Sequence, residues 1–78
     1  MKQLTAQLVL KEAENWGFPC QINRENRWEI LPIKPEKTWK LIEAESQWIL
    51  SVKNIPQLRL NSQEAIAFLA EQTNKLDS

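Results

Sequence analysis

Histidine and tyrosine are absent from this sequence of 78 residues, and glycine and cysteine each occur once. Histidine is the commonest general base near neutral pH, and serine and cysteine nucleophiles usually depend on it. Loops that bind phosphate groups need several glycines, whereas Gly17 is the only glycine here. Because these absences remove most catalytic and nucleotide sites, we predict that the protein is not an enzyme and holds no cofactor.

Cysteine and long apolar runs are equally scarce. The lone Cys20 cannot form a disulfide within the chain or a cysteine-cluster metal site. Residues 1–7 lack the apolar core of a secretory signal, and no apolar run approaches the roughly 20 residues that cross a bilayer. The sequence therefore predicts a cytoplasmic protein without a membrane-spanning segment.

An excess of charge of one sign is also missing, because ten basic residues balance ten acidic ones. A neutral chain has no long-range field that attracts nucleic acid or an anionic membrane. Residues 17–61 sum to +2 and residues 62–78 to −2, an asymmetry too small to steer a partner. The apolar fraction of 42% and the length are typical of one globular domain over residues 1–78.

Both ends of the chain have the periodicity of helices. Apolar residues recur at three- and four-residue steps over residues 5–16, and Gly17 supplies the left-handed conformation with which many helices end. A second helix begins at Asn61 or Ser62, since Asn61 and Glu64 have the spacing of a capping box.

The segment between the helices begins with an alternating pattern typical of strands. A three-residue loop that ends at Asn26 joins two short strands, and its length sets Ile22 opposite Trp28 and Cys20 opposite Ile30. These four apolar side chains then lie on one face and are expected to turn inward together. A buried thiol behaves as an inert apolar group, so Cys20 is expected to be structural.

A second hairpin follows, with strands near residues 38–43 and 48–52. Residues 54–56 then break the strand, and the sequence leaves open whether residues 57–60 form a short fifth strand. The register of this second hairpin gives one face four large apolar side chains: Trp39, Leu41, Leu50 and Val52. The sequence therefore predicts the α+β class in two layers. An antiparallel sheet of four or five strands, built from two hairpins, has its apolar face covered by an N-terminal and a C-terminal helix.

Tryptophan is abundant for so short a chain, with four residues. The strand register assigns Trp28 and Trp39 to the core, where large rings bury much apolar surface. Trp16 and Trp48 lie nearer the ends of their elements, and the sequence does not decide between core packing and an exposed edge for them.

The opposite face of the second hairpin carries the apolar pair Ile42 and Ile49. With Leu31 nearby and Lys40 at the border, this pair has the apolar centre and charged rim of a modest protein interface. Exposed isoleucines are also ordinary on protein surfaces. We predict a non-enzymatic protein-interaction module: a small adaptor, a regulator or a subunit of a larger assembly. Its partner is another protein, or a second copy of the chain in a homodimer.

Weak binding of single-stranded nucleic acid is the alternative function. Arg24, Arg27 and Lys37 supply the cations of that surface, and Trp48 supplies a ring on which a base would stack. Acidic residues alternate with these cations and cancel most of their field. Nucleic acid is therefore the less favoured partner.

The order helix, antiparallel strands, helix resembles that of the double-stranded RNA-binding domain. That family presents a lysine-rich start of its second helix to phosphates. The matching stretch here is residues 61–64, which has no lysine and ends in Glu64. The resemblance is one of topology and implies no RNA binding.

Overall fold

Each strand of this protein pairs with the next one along the chain. The computed structural model describes residues 4–76, with side chains described for residues 7–73. Its elements in chain order are α1 (Leu4–Asn15), β1 (Cys20–Ile22), β2 (Trp28–Ile30), β3 (Trp39–Ala44), β4 (Gln47–Val52), β5 (Ile55–Leu60) and α2 (Ser62–Leu76). The five strands form one antiparallel sheet in the order β1-β2-β3-β4-β5. The predicted α+β fold, with a helix before and after the sheet, is confirmed.

The end of α1 has the Schellman geometry that glycine favours. Gly17 has a φ of 88°, and its N–H donates to the carbonyl oxygen of Glu14 at 3.0 Å. The N–H of Phe18 donates to the carbonyl oxygen of Ala13 at 2.9 Å. This reversal directs Phe18 back to the core, where its side chain is buried.

Both predicted hairpin registers are confirmed. Ile22 pairs with Trp28 across a loop in which Asn26 has a φ of 64°, the left-handed conformation expected of it. Leu41 pairs with Leu50 in the second hairpin. Each register follows from a turn and an alternation pattern that lie close together in the chain.

The other two hairpin turns contain two residues each. Glu45 in the β3–β4 turn has a φ of 58°. Lys53 and Asn54 have φ values of 54° and 68°, as in a type I′ turn, which leads directly from β4 into β5. The expected break over residues 54–56 is therefore confirmed only at Asn54, because β5 begins at Ile55 and includes Pro56. Proline is tolerated in an edge strand beside a bulge, and β5 has both features.

The predicted capping box starts α2. The N–H of Glu64 donates to Oδ1 of Asn61 at 2.8 Å, and the N–H of Asn61 donates to Oε1 of Glu64 at 2.9 Å. Two N–H groups that the helix itself cannot satisfy are thereby paired. Within residues 4–76, neither helix has the length and apolar character that crossing a membrane requires.

The two helices cover one side of the sheet, here called the inner face. The buried core between the layers includes Val9, Ala13, Phe18, Ile30, Trp39, Leu41, Trp48, Ala65 and Leu69. Trp39 makes edge-to-face contacts with Phe18 and Phe68, at ring-centroid distances of 5.8 and 4.9 Å. Trp48 is also buried, and Trp16 and Trp28 pack against the core while partly exposed. All four tryptophans therefore contribute to the core or pack against it.

Ile22 does not become buried, although its register is the predicted one. Its side chain is 52% exposed. Because β1 is a three-residue strand at the edge of the sheet, only β2 flanks it. The expectation that Ile22 turns into the core was wrong: alternation sets the face, while the position in the sheet sets the exposure.

Candidate functional site

The face opposite the helices, here called the outer face, carries a row of side chains from four strands. Glu29 of β2 pairs with Ile42 of β3, Ile42 pairs with Ile49 of β4, and Ile49 pairs with Arg59 of β5. Directly paired residues point to the same face, so these side chains are neighbours. None of them belongs to the core between the sheet and the helices.

Ile42 and Ile49 form the apolar middle of this row. Both are partly exposed, because strands flank β3 and β4 on each side while the helices lie on the other face. Lys40 precedes Ile42 by two residues, shares the outer face and is also partly exposed. The structure thus places these three predicted surface residues together, and their role in binding stays a prediction.

Glu29 is a carboxylate that is buried on the outer face, with 6% of its surface exposed. Its Oε1 accepts a hydrogen bond from Nε2 of Gln21 at 3.0 Å, and its Oε2 accepts one from Nδ2 of Asn23 at 3.0 Å. Burial by itself raises the pKa of a carboxyl. Here the two hydrogen bonds and the positive charge of Lys40 outweigh burial, and the pKa of Glu29 lies below its ordinary value. Glu29 is therefore ionised at neutral pH.

Sequence reasoning missed this buried carboxylate, although a signal for it was present. The predicted hairpin register sets Gln21 opposite Glu29, which the structure confirms. Asn23 follows two residues later on the same face, so two amide side chains alternate beside one carboxylate. Amides in that position satisfy a charged group that neighbouring strands shield from water.

Two adjoining depressions run along the outer face, and together they are called the outer trough. The first is lined by Asn23, Arg24, Glu25, Glu29, Lys40, Ile42, Ser51, Asn54 and Pro56. The second is lined by Leu31, Pro32, Pro35, Lys37, Thr38, Trp39, Lys40, Lys53 and Asn54. Lys40 and Asn54 line both depressions and make the trough continuous. The β1–β2 loop and the β4–β5 turn lie at diagonally opposite corners of the sheet. The twist of the sheet raises both corners toward the outer face.

The fourth predicted surface residue, Leu31, lies in the second depression. Its N–H donates to the carbonyl oxygen of Pro19 at 2.8 Å, which holds it just beyond the end of β2. Lys40 lines the trough between Leu31 and Ile42. Ile49 lines neither depression and lies beside Ile42 on the next strand.

The residues predicted for nucleic acid are only partly brought together. Trp48 is 1% exposed, so it cannot stack on a base, and its place in that surface was wrong. Arg27 is engaged locally: its Nη1 donates to the carbonyl oxygen of Glu43 at 3.1 Å, and its Nε lies 3.9 Å from Oε1 of Glu25. Arg24 and Lys37 line different depressions of the outer trough.

No metal centre or reactive thiol is evident in the described part of the chain. It contains no group of three or more cysteine and acidic side chains placed to hold a metal ion. Partial burial, and then the negative charge of Glu14, raise the pKa of Cys20, so its thiol is protonated at neutral pH. No family model, no curated protein and no solved structure matches the chain.

A second apolar area lies on β5, and sequence reasoning missed it too. Ile55 is 60% exposed and Leu58 is 58% exposed. Their partners on β4 are Val52 and Leu50, which pack against the core, so this pair belongs to the inner face. Nothing in the alternation pattern indicates that the helices leave the β5 edge uncovered.

Proposed function

We propose that this protein is a non-enzymatic interaction module that binds a partner protein through the outer face of its sheet. The observation that supports it is the Ile42–Ile49 pair, two partly exposed apolar side chains in the middle of a face that neither core-forming helix covers. Charged residues surround the pair: Glu29, Lys40 and Arg59. An apolar centre within a polar rim is the arrangement of modest protein interfaces.

The surface around the pair is ordered before a partner binds. Strand pairing holds the backbone, and Glu29 is held by its bonds to Gln21 and Asn23. A preformed surface loses less conformational entropy on binding, which favours recognition by a small domain. This suits a small adaptor, a regulator or a subunit of a larger assembly. We place this role in the cytoplasm, where a lone thiol such as that of Cys20 stays reduced.

Photo-cross-linking from the outer face tests the proposal. A benzophenone amino acid replaces Ile49 in the full chain, which is produced in its native cells and irradiated there. The same amino acid replaces Leu8 as the matched control, because Leu8 is an exposed aliphatic side chain on α1, in the opposite layer. We expect a discrete cross-linked product from position 49 that is absent from position 8.

Mass spectrometry of that product identifies the partner. A product that contains two copies of the chain assigns the outer face to a homodimer, and a product with a different protein assigns it to a heterologous complex. Equal yields from positions 49 and 8, or no product from position 49, contradict the proposal.

A further inference from the structure

Charge is divided between the two layers of this fold, although the whole chain is neutral. The helices α1 and α2 contain two basic and four acidic residues, whereas residues 16–61 contain seven basic and five acidic ones. The sheet layer is therefore net positive and the helix layer net negative. A net charge of this size is too small to steer a partner from a distance, so any preference for an acidic segment depends on where the sheet layer places its cations.

The outer trough concentrates the positive charge of the sheet layer. It is lined by four basic residues: Arg24, Lys37, Lys40 and Lys53. Two acidic residues also line it. Oε1 of Glu25 lies 3.9 Å from Nε of Arg27, and both oxygens of Glu29 accept amide hydrogen bonds. Among the residues that the structure describes, the four lining cations form no ion pair. Four cations and two carboxylates give the lining a net charge of +2, and Lys40 already stabilises the ionised form of Glu29. The positive charge that remains is available to a ligand.

The floor between these cations is aliphatic. Ile42 lies in the first depression, and Leu31 lies in the second with two prolines. Trp39 borders the second depression but is only 8% exposed. Proteins that bind single-stranded nucleic acid stack bases on exposed aromatic rings, and the trough presents no such ring. Cations over an aliphatic floor instead match carboxylates and small apolar side chains.

We infer that the outer trough binds an acidic, extended segment of the partner protein. Its carboxylates contact Lys37, Lys40 and Lys53, and its aliphatic side chains pack on Ile42 and Leu31. The inference rests on the proposed function, because it names the chemistry of the partner for the same face. Alternate side chains of an extended segment point the same way, so acidic and aliphatic residues alternate along the side that faces the trough.

Direct binding of a designed peptide tests the chemistry without the native partner. The probe is a fluorescein-labelled peptide of about eight residues, roughly 26 Å long when extended, in which glutamate pairs alternate with valine pairs. Either side of this peptide then carries both residue types. We expect fluorescence anisotropy to show binding to the full chain. Binding should be roughly tenfold weaker, or more, when glutamine replaces every glutamate.

Charge-removing variants locate the peptide on the protein. Lys40→Gln and Lys53→Gln are each expected to weaken binding of the glutamate peptide roughly fivefold. Lys11→Gln is the matched control, because Lys11 is an exposed lysine on α1 in the opposite layer, and it should leave binding unchanged. Circular dichroism checks the fold of each variant. An amide NMR titration of the wild-type chain maps the same site if a variant does not fold.

Several results would overturn the inference. Equal affinities for the glutamate and glutamine peptides would exclude acidic recognition, and equal effects of Lys11→Gln and Lys40→Gln would exclude the outer trough. A thymidine oligonucleotide that displaces the peptide and binds more tightly would favour single-stranded nucleic acid.

If position 49 cross-links a partner while the acidic peptide fails to bind, the proposed function stands and the inference falls. Peptide binding in the trough without any cross-link supports the inferred chemistry and counts against the proposed function.

Discussion

The Asn23 side chain joins the β1–β2 loop to the outer face through three hydrogen bonds. Its Oδ1 accepts the N–H groups of Glu25 at 2.9 Å and Arg27 at 3.0 Å, and its Nδ2 donates to Oε2 of Glu29 at 3.0 Å. Asn23→Ala removes all three bonds together. We expect this single substitution to lower the free energy of unfolding and to loosen the rim of the outer trough.

The size of the effect follows from the type of each bond. The two bonds to backbone N–H groups lie at exposed positions, and each is worth about 0.5 kcal/mol. The bond to Glu29 is charge-assisted and reaches a carboxylate that is 6% exposed, so its loss costs about 1.5 kcal/mol. The expected total is about 2–3 kcal/mol, which lowers Tm by about 10–20 °C in a domain of this size.

Urea unfolding at neutral pH, followed by tryptophan fluorescence, measures this loss. Asn15→Ala is the control, since Asn15 is an exposed asparagine at the end of α1, and it should change stability by less than about 0.5 kcal/mol. Asn23→Asp separates the two roles of the side chain. It keeps an acceptor for the loop but puts a second negative charge beside Glu29. We therefore expect stability to be low at neutral pH and to recover in acid, when the two carboxyls share a proton.

A loss below about 0.5 kcal/mol for Asn23→Ala, the range of an ordinary surface substitution, would contradict the assigned hydrogen bonds. Destabilisation of Asn23→Asp to the same degree at neutral and acidic pH would show that the bond to Glu29 contributes nothing in solution. In that case the rim of the outer trough would not be preordered.

Four further measurements test separate features. The pKa of Glu29 in the folded chain lies below its ordinary value, so ionised Glu29 stabilises the fold fully when the pH is above that ordinary value. This stabilisation is lost as the pH falls through the folded-state pKa, and Glu29→Gln should lack this acid-dependent part of the stability. Ile49→Lys should abolish association in light scattering or partner capture while its circular dichroism spectrum stays unchanged, and unaltered association would refute the surface. Asn61→Ala should destabilise the chain by about 1 kcal/mol in urea unfolding, and a negligible loss would contradict the capping box. Glu45→Gly should raise stability by about 0.5–1 kcal/mol, since glycine takes the positive φ of 58° without strain, and a lower Tm would contradict that reasoning.

The hairpin registers were predictable because each depends on residues that are close in the chain. The three-residue loop ending at Asn26 and the alternation around it both set Ile22 opposite Trp28, and the structure has that pairing. The capping box of Asn61 and Glu64 is local in the same sense. The start of β5 was harder to predict, because Pro56 indicates a break unless its strand is known to be an edge strand.

The candidate site was predictable in part. Ile42, Ile49 and Lys40 share the outer face because strand alternation places them there. The burial of Trp48 was not decided by sequence, since a tryptophan near a strand end is buried only if a helix reaches it. The outer trough was not predictable either, because its lining combines the β1–β2 loop with the β4–β5 turn through the twist of the whole sheet.

The amino-acid sequence by itself determined the helices, the first two hairpins and the face to which the residues of those hairpins point, because turn chemistry, capping and periodicity act over a few neighbouring residues. Only the tertiary structure decided that Trp48 is buried, that Ile22 and Leu58 remain exposed at the sheet edges, and that Glu29 is a shielded, ionised carboxylate. Solvent exposure and pKa depend on groups that are distant in the chain, and folding is what brings those groups together.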